Sequence, residues 1–235
     1  TQYNINLETV ENCNLLCKLI IDYLPSDKCT IERIPGGGSY SFKIKYPKGS
    51  FINYKDTSYE LRHACFFYPS RHSIDGQKYD LEVNIYHGKL DGGMVLHTQY
   101  HNDNEDSSQH KHFHYHLHDD GDDNEPHPDE EHDLGNIVTC LLFNKGEHKG
   151  TDLNIFFNQF VHHKDFKNIK NSPRSSDITV HDNWTIEQIY PKKRSFFIYT
   201  KKYDTNDDKN DDTFVVFDTV QTISKEIIDR LYMRG

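Results

Sequence analysis

Short runs in which Ile, Val, Phe, Tyr and Thr are interleaved with polar residues recur at 30–34, 39–46, 60–68, 79–87, 137–143, 195–200 and 213–218. They are punctuated by Pro, Gly and polar residues, and their β-branched and aromatic content predicts strands. Helical spacing is found in 151–163, TDLNIFFNQFVHH, where Leu153, Phe156, Phe157 and Phe160 share a face and Thr151 or Asp152 can cap the start. Residues 223–232 are a second, shorter helix candidate. These elements predict a mixed, β-rich α+β fold: one domain over 1–235, with a large central, mostly antiparallel twisted sheet flanked by short helices.

A chain of 235 residues is an ordinary length for one large β domain. Its formal charge of −10 and pI of about 5.8 argue against nucleic acid as a partner. The sequence holds no apolar stretch of membrane-spanning length and no signal-like N-terminus, so membrane association is expected only through segments outside this chain. Five cysteines, Cys13, Cys17, Cys29, Cys65 and Cys140, leave at least one unpaired within the chain. A bridge from Cys29 to Cys13 or Cys17 and a set of buried reduced thiols both remain open. Asn183-Trp184-Thr185 is an N-glycosylation triplet of a kind that also arises by chance.

The most informative segment is 59–87, YELRHACFFYPSRHSIDGQKYDLEVNIYH. Two strand-like runs flank a turn that carries Ser70, His72, Asp75 and Gly76, with Tyr79, Glu82 and His87 following. This segment resembles the centre of the α-type carbonic anhydrases, where a His-x-His strand, a Ser-x-His-x-x-Asp-Gly turn and a Glu-x-His-x-x-His strand follow one another. His72, Asp75, Gly76, Glu82 and His87 match family positions. Cys65 and Phe67 stand where the first two zinc-binding histidines belong, and Asn84 stands where the third belongs. The resemblance continues through 3–7 and 38–46, where Tyr40 takes the place of the proton-shuttle histidine. It runs on through 189–217, where Tyr199 is retained and Asp204 replaces the gatekeeper threonine, and closes with 219–231. Relatives normally begin with a Trp- and Gly-rich segment ahead of the point where Thr1 starts, so the resemblance implies a domain lacking that segment, such as a trimmed ectodomain. Secreted relatives often join an upstream cysteine to a Pro-Pro-Cys turn, and Asp208 removes that option here.

The resemblance implies a retained scaffold without the family's zinc. A catalytic zinc needs three neutral imidazoles and one open position. Residues two apart on a strand project from one face, so His-x-His supplies two ligands and a facing strand the third. Phe67 has no lone pair, Asn84 is a poor zinc donor, and one cysteine cannot hold the ion alone. Glu82, which in relatives orients the third histidine, is read as structural. No zinc or other cofactor is therefore expected in the core cleft.

Three biased groups of residues lie around this pattern. A His- and Asp-rich insertion at about 97–133 carries nine of the 16 histidines: His97, His101, His110, His112, His114, His116, His118, His127 and His132. In HKHFHYHLH, His110, His112, His114, His116 and His118 alternate and would line one face of a strand. A metal site, a pH-responsive surface and a solvated loop are the competing readings. HFHYH imitates the family's zinc pair but follows the Glu-x-His strand instead of preceding it. The acidic run 204–212, DTNDDKNDD, lacks the spacing and terminal Glu of an EF-hand and reads as a solvated turn. Lys192, Lys193 and Arg194, with Lys201 and Lys202, flank the strand leading to the former active-site rim and could receive a sulfated glycan or an acidic protein surface. Lys43, Lys45 and Lys48 lie on or near another strand.

Three functions compete on this reading. The first is a catalytically inactive carbonic-anhydrase-like module that binds a protein or glycan, as zinc-free attachment domains of viral and cell surfaces do. The second is a structural subunit of a large assembly, a virion or organellar complex. The third is an enzyme with non-standard ligands such as Cys65, His63 and His72. An extracellular, cell-surface or virion-surface location is favoured over an organellar one, and the Asn-, Asp-, Lys- and Ile-rich composition suits a large virus or a protist.

Overall fold

The structure is a computed structural model that describes residues 3–8, 11–13, 19–34, 41–55, 57–89, 95–98, 113–116, 136–147, 152–166, 175–181, 183–201 and 211–232. The strands in chain order are β1 (Tyr3–Ile5), β2 (Glu11–Cys13), β3 (Leu19–Asp22), β4 (Lys28–Ile34), β5 (Ser41–Lys45), β6 (Phe51–Tyr54), β7 (Thr57–Phe67), β8 (His72–Ile74) and β9 (Gln77–Lys78). They continue with β10 (Leu81–Lys89), β11 (Val95–Thr98), β12 (Phe113–His116), β13 (Asn136–Gly146), β14 (Ser176–Thr179), β15 (Phe196–Lys201), β16 (Asp212–Phe217) and β17 (Gln221–Ser224). The helices are α1 (Asp152–Val161) and α2 (Lys225–Tyr232), with a 3-10 turn at Ile186–Ile189. None of the described helices is long and apolar enough to cross a membrane.

Twelve strands form one sheet with the path β14-β4-β5-β7-β10-β13-β16-β15-β2. Strand β6 joins β7 and β3, and β17 joins β13. Pairing is antiparallel except where β13 meets β16 and β17, so the expected mixed, mostly antiparallel sheet is present. The seven sequence-predicted strands are all found, and α1 lies inside the predicted 151–163. The second helix is shorter than expected, because 221–224 extends alongside β13 as β17. The approach is close: a Cβ on Gly146 would lie 2.1 Å from the Thr222 Cγ2, so β13 needs glycine there.

One face of the sheet carries the main core. Phe156, Phe157 and Phe160 of α1 pack there with Phe66, Phe143, Phe166 and Trp184. Trp184 stacks on Phe156 at 4.7 Å and donates its indole N–H to the Phe156 carbonyl at 3.1 Å. Within the triplet at 183–185, Trp184 is thus core, and Thr185 caps the 3-10 turn by accepting from the Glu187 N–H. Aromatic rings bury large apolar areas while their few polar atoms find partners, which makes this face the main source of stability.

The opposite face holds a smaller cluster of Ile5, Tyr79, Val138, Cys140, Leu142, Phe197, Phe214 and Val216, with Tyr86 and Tyr199 at its margin. Which residues reach it depends on a register shift between Tyr86 and His87, where Arg62 of β7 is the extra residue. Such a bulge inverts the alternation. His63, Cys65 and Phe67 therefore share the second face, while Leu61 and Tyr59 return to the main core.

A two-residue turn, Asp75-Gly76, joins β8 to β9, with φ of +46° and +79°. Positive φ at both positions favours Asp-Gly. The turn also anchors β1, since Asp75 Oδ1 accepts from the Leu7 N–H at 3.0 Å and the Gly76 N–H donates to Asn4 Oδ1 at 2.9 Å.

Candidate functional site

Cys65, Phe67 and Asn84, singled out in the sequence, converge. Cys65 lies directly opposite Asn84, Asn84 is flanked on its other side by Cys140, and Phe67 lies opposite Glu82. The row Lys43, Cys65, Asn84, Cys140, Val216, Phe197 thus crosses the sheet on the cleft face.

Beneath it lies a closed hydrogen-bond network. The His72 Nδ1 and Glu82 Oε1 are 2.7 Å apart, and the His72 backbone N–H donates to Glu82 Oε2 at 2.7 Å. The His72 Nε2 and Tyr199 hydroxyl are 2.6 Å apart. His72 and Glu82 are wholly buried. Burial pushes the Glu82 carboxyl up, but the hydrogen bonds and charge of His72, with the bond from the Asn84 amide, outweigh it and hold the group below its usual range. Tyr199 also stacks on Phe214 at 5.1 Å. Ser70 closes the turn, its hydroxyl donating to the His72 carbonyl at 2.6 Å and accepting from the Tyr79 N–H at 3.0 Å.

His87 belongs to a different system on the core face. Its Nε2 faces the Tyr23 hydroxyl at 2.5 Å, Tyr23 reaches the Tyr190 hydroxyl at 2.8 Å, and Tyr190 reaches the Thr139 hydroxyl at 2.6 Å. The other ring nitrogen donates to the Ile137 carbonyl at 3.1 Å. Burial lowers the His87 pKa to about 3, so this imidazole is neutral.

Cys65, Phe67 and Asn84 do not fit a three-donor zinc site. Burial pushes the Cys65 thiol up to about 11, against the opposing charges of Lys43 and Arg71. The Phe67 ring lies under the Arg71 guanidinium at 4.6 Å, which puts a fixed cation beside the place a metal dication would need. Asn84 commits its amide N–H to Glu82 and leaves Oδ1 as the buried side-chain atom without a hydrogen-bond partner among the described residues. Cys65 alone is a competent ligand, and only as thiolate.

The set Cys65, His63 and His72 does not assemble either. His63 stacks on Tyr86 at 4.8 Å, with its pKa lowered to about 4 by burial and by Lys43 and Lys45. His72 has both ring nitrogens engaged. His72, Glu82 and Cys140 do bring three ligand atoms within 4.8 Å of one another. The short His72–Glu82–Tyr199 bonds occupy those donor atoms, and burial raises the Cys140 thiol well above its usual range. Cys29, Cys65 and Cys140 are buried free thiols, and burial takes Cys29 to about 12.

The basic candidates do not form one patch. Lys192, Lys193 and Arg194 precede β15 and Lys201 ends it, so the two groups are about 20 Å apart at ~3.3 Å per residue. Arg194 lies over the Tyr190 ring and 3.5 Å from Glu187, Lys193 is 3.8 Å from Asp218, and Lys192 is exposed. Lys201 donates to the Tyr3 hydroxyl at 3.0 Å. Lys43 faces Cys65 across β5 and β7, and Lys45 pairs with Glu32 at 3.1 Å. Tyr40, Lys202, Asp204 and most of the acidic run, and His110, His112 and His118, lie outside the described residues, whereas His114 and His116 fall on β12. Sequence reading passed over Arg71, Tyr86 and Cys140 as site residues. Arg71 is the variable position of the turn motif and is placed by its contact with Phe67, and Cys140 sits in a run that is apolar on both faces, so only pairing register identifies it.

With the geometry in place, solved structures supply the fold's name. A carbonic anhydrase of Chlamydomonas reinhardtii in complex with acetazolamide superposes with a TM-score of 0.63 at 14% identity, over 98% of this chain and 78% of that one. A fungal α-carbonic anhydrase from Aspergillus oryzae gives 0.62 at 10% identity, over 98% and 75%. A hyperthermostable carbonic anhydrase from a hydrothermal vent chimney gives 0.59 at 17% identity, over 98% and 77%. No protein-family description and no curated protein sequence matches the chain. The chain has the α-carbonic anhydrase fold.

Proposed function

We propose that this domain keeps the carbonic anhydrase scaffold without its zinc chemistry and serves as a binding module for a protein or a sulfated glycan. The observation that carries the reading is the row Cys65–Asn84–Cys140 with Phe67 beneath Arg71, where one thiol, one amide and one ring stand in place of three imidazoles. The supporting scaffold of His72, Glu82 and Tyr199 is complete, so the loss is local to the donors. A folded domain with a silent cleft has its remaining chemistry on its surface, and the exposed Lys192–Arg194 corner is the basic feature available to an anionic partner.

Carbon dioxide hydration and zinc content, measured on the chain with 97–133 deleted, test the first half. Background hydration and no bound zinc are expected, and chelator-sensitive hydration would overturn the proposal. Heparin retention at low salt tests the glycan arm. Retention reduced by Lys192→Glu with Lys193→Glu supports it, whereas retention unaffected by them, together with stoichiometric capture of a protein, assigns the module to a protein partner.

A further inference from the structure

Arg71 lies over two aromatic rings beside the cleft face. Its guanidinium carbon is 4.6 Å from the centre of the Phe67 ring and 5.9 Å from that of Tyr3. The backbone fixes its position, since the Arg71 carbonyl accepts from the Tyr3 N–H at 3.0 Å and from the Lys78 Nζ at 3.1 Å, and its neighbours Ser70 and His72 are buried. Stacking uses the faces of a guanidinium and leaves its N–H edges for partners in the plane. Among the described residues those N–H groups have no hydrogen bond and no ion pair. Glu82, the carboxylate on the strand position opposite Phe67, is taken up by His72 and the Asn84 amide. Lys43, opposite Cys65 on β5, is half-buried like Arg71 and also lacks an acidic partner among the described residues. The two cations act on one place, because both oppose the rise that burial imposes on the Cys65 thiol. In a chain with a formal charge of −10 this is a local reversal of the balance.

We propose that Arg71 and Lys43 receive a tetrahedral oxyanion, phosphate or sulfate, on the cleft face. A guanidinium whose plane is fixed by stacking offers parallel N–H groups to two oxygens of one ion and pairs more strongly than an ammonium alone. The Lys43 ammonium adds a second charge, which suits a dianion better than a monocarboxylate. Partial burial strengthens both attractions relative to that of an exposed lysine such as Lys192. Cys65 supplies no competing anion, because burial pushes its thiol up to about 11 and keeps it protonated. The inference rests on the zinc-free reading of the cleft and goes beyond it by placing a ligand group there, apart from the Lys192–Arg194 corner. The same chemistry serves a free ion and the sulfate group of a glycan.

The test is titration of the isotope-labelled full chain with inorganic phosphate at constant ionic strength, followed by NMR at the Arg71 Nε–H and the Cys65 amide. A saturable shift is expected, with affinity weakened on the order of tenfold or more in Arg71→Gln and several-fold in Lys43→Gln. Arg71→Lys keeps the charge and loses the fork, and its affinity is expected to fall between those of the parent and Arg71→Gln. A shift that never saturates, or a saturating one unchanged in Arg71→Gln or in Lys43→Gln, would overturn the proposal. Binding abolished by a chelator would place the ion on a metal and overturn this inference and the zinc-free reading together, whereas no binding with or without chelator overturns the inference alone. Heparin separates the two sources of the oxyanion: retention lowered by Arg71→Gln assigns it to a glycan sulfate, and unchanged retention beside weakened phosphate binding assigns a free ion. Thermal melts, expected to match the parent for Lys43→Gln and Arg71→Lys, separate lost binding from lost fold.

Discussion

The two faces of β10 are made from alternate residues of one nine-residue strand, yet they are finished to different standards. On the core face Val83 and Ile85 pack into the aromatic cluster, and His87 ends in a chain of Tyr23, Tyr190 and Thr139 in which each hydroxyl has a partner. On the cleft face Glu82 is fully engaged, while Asn84, two residues along, keeps a buried carbonyl oxygen with no partner among the described residues. The difference separates buried polar groups that tie elements of the fold together from one that does not. Glu82 and His72 hold a turn and a strand together through three short bonds, whereas Asn84 satisfies only its amide N–H, through Glu82.

Breaking the core face should have the largest effect. Phe157→Ala removes a fully buried ring at the contact of α1 with β7 and β13, and a loss of about 3–5 kcal/mol is expected, read as a melting temperature lowered by about 10 °C or more. On the cleft face the comparable step is Glu82→Gln, which leaves the buried His72 without its anion; about 3 kcal/mol should be lost in denaturant titration. A cleft-face variant that cost nothing would mean the His72–Glu82 pair is not structural.

Acidification sharpens the contrast through His87. Its folded pKa, about 3, lies below the ordinary 6.5, so the unfolded chain takes up the proton first and stability is lost as pH falls from about 6.5 towards 3. At pH 5 the expected loss is about 2 kcal/mol relative to neutral pH, and His87→Gln should flatten that slope while lowering stability at pH 7. Glu82, held low, adds loss of the same sign at lower pH. The smallest effect belongs to Asn84→Leu. It removes one amide bond to Glu82 and one orphaned carbonyl, and these should offset to within about 1 kcal/mol. A large loss would show that the amide is part of the scaffold.

The sequence was sufficient for the strands that carry β-branched alternation, for α1, and for the turn at Ser70, His72, Asp75 and Gly76, because each rests on local propensity that neighbours along the chain express. It also singled out Cys65, Phe67 and Asn84 through a resemblance, and the structure places Cys65 opposite Asn84 and Phe67 opposite Glu82. Register lay beyond the sequence. The bulge at Arg62 decides that His63 and Cys65 share a face while Leu61 does not, and a one-residue shift inverts every side chain without changing the pattern read along the strand. The row formed by Cys65, Asn84 and Cys140 and the bond from His72 to Tyr199 depend on the packing of segments distant along the chain. Periodicity reports which residues prefer burial, and the packed sheet decides which of them meet, because contact across strands is set by hydrogen-bond register that composition does not encode.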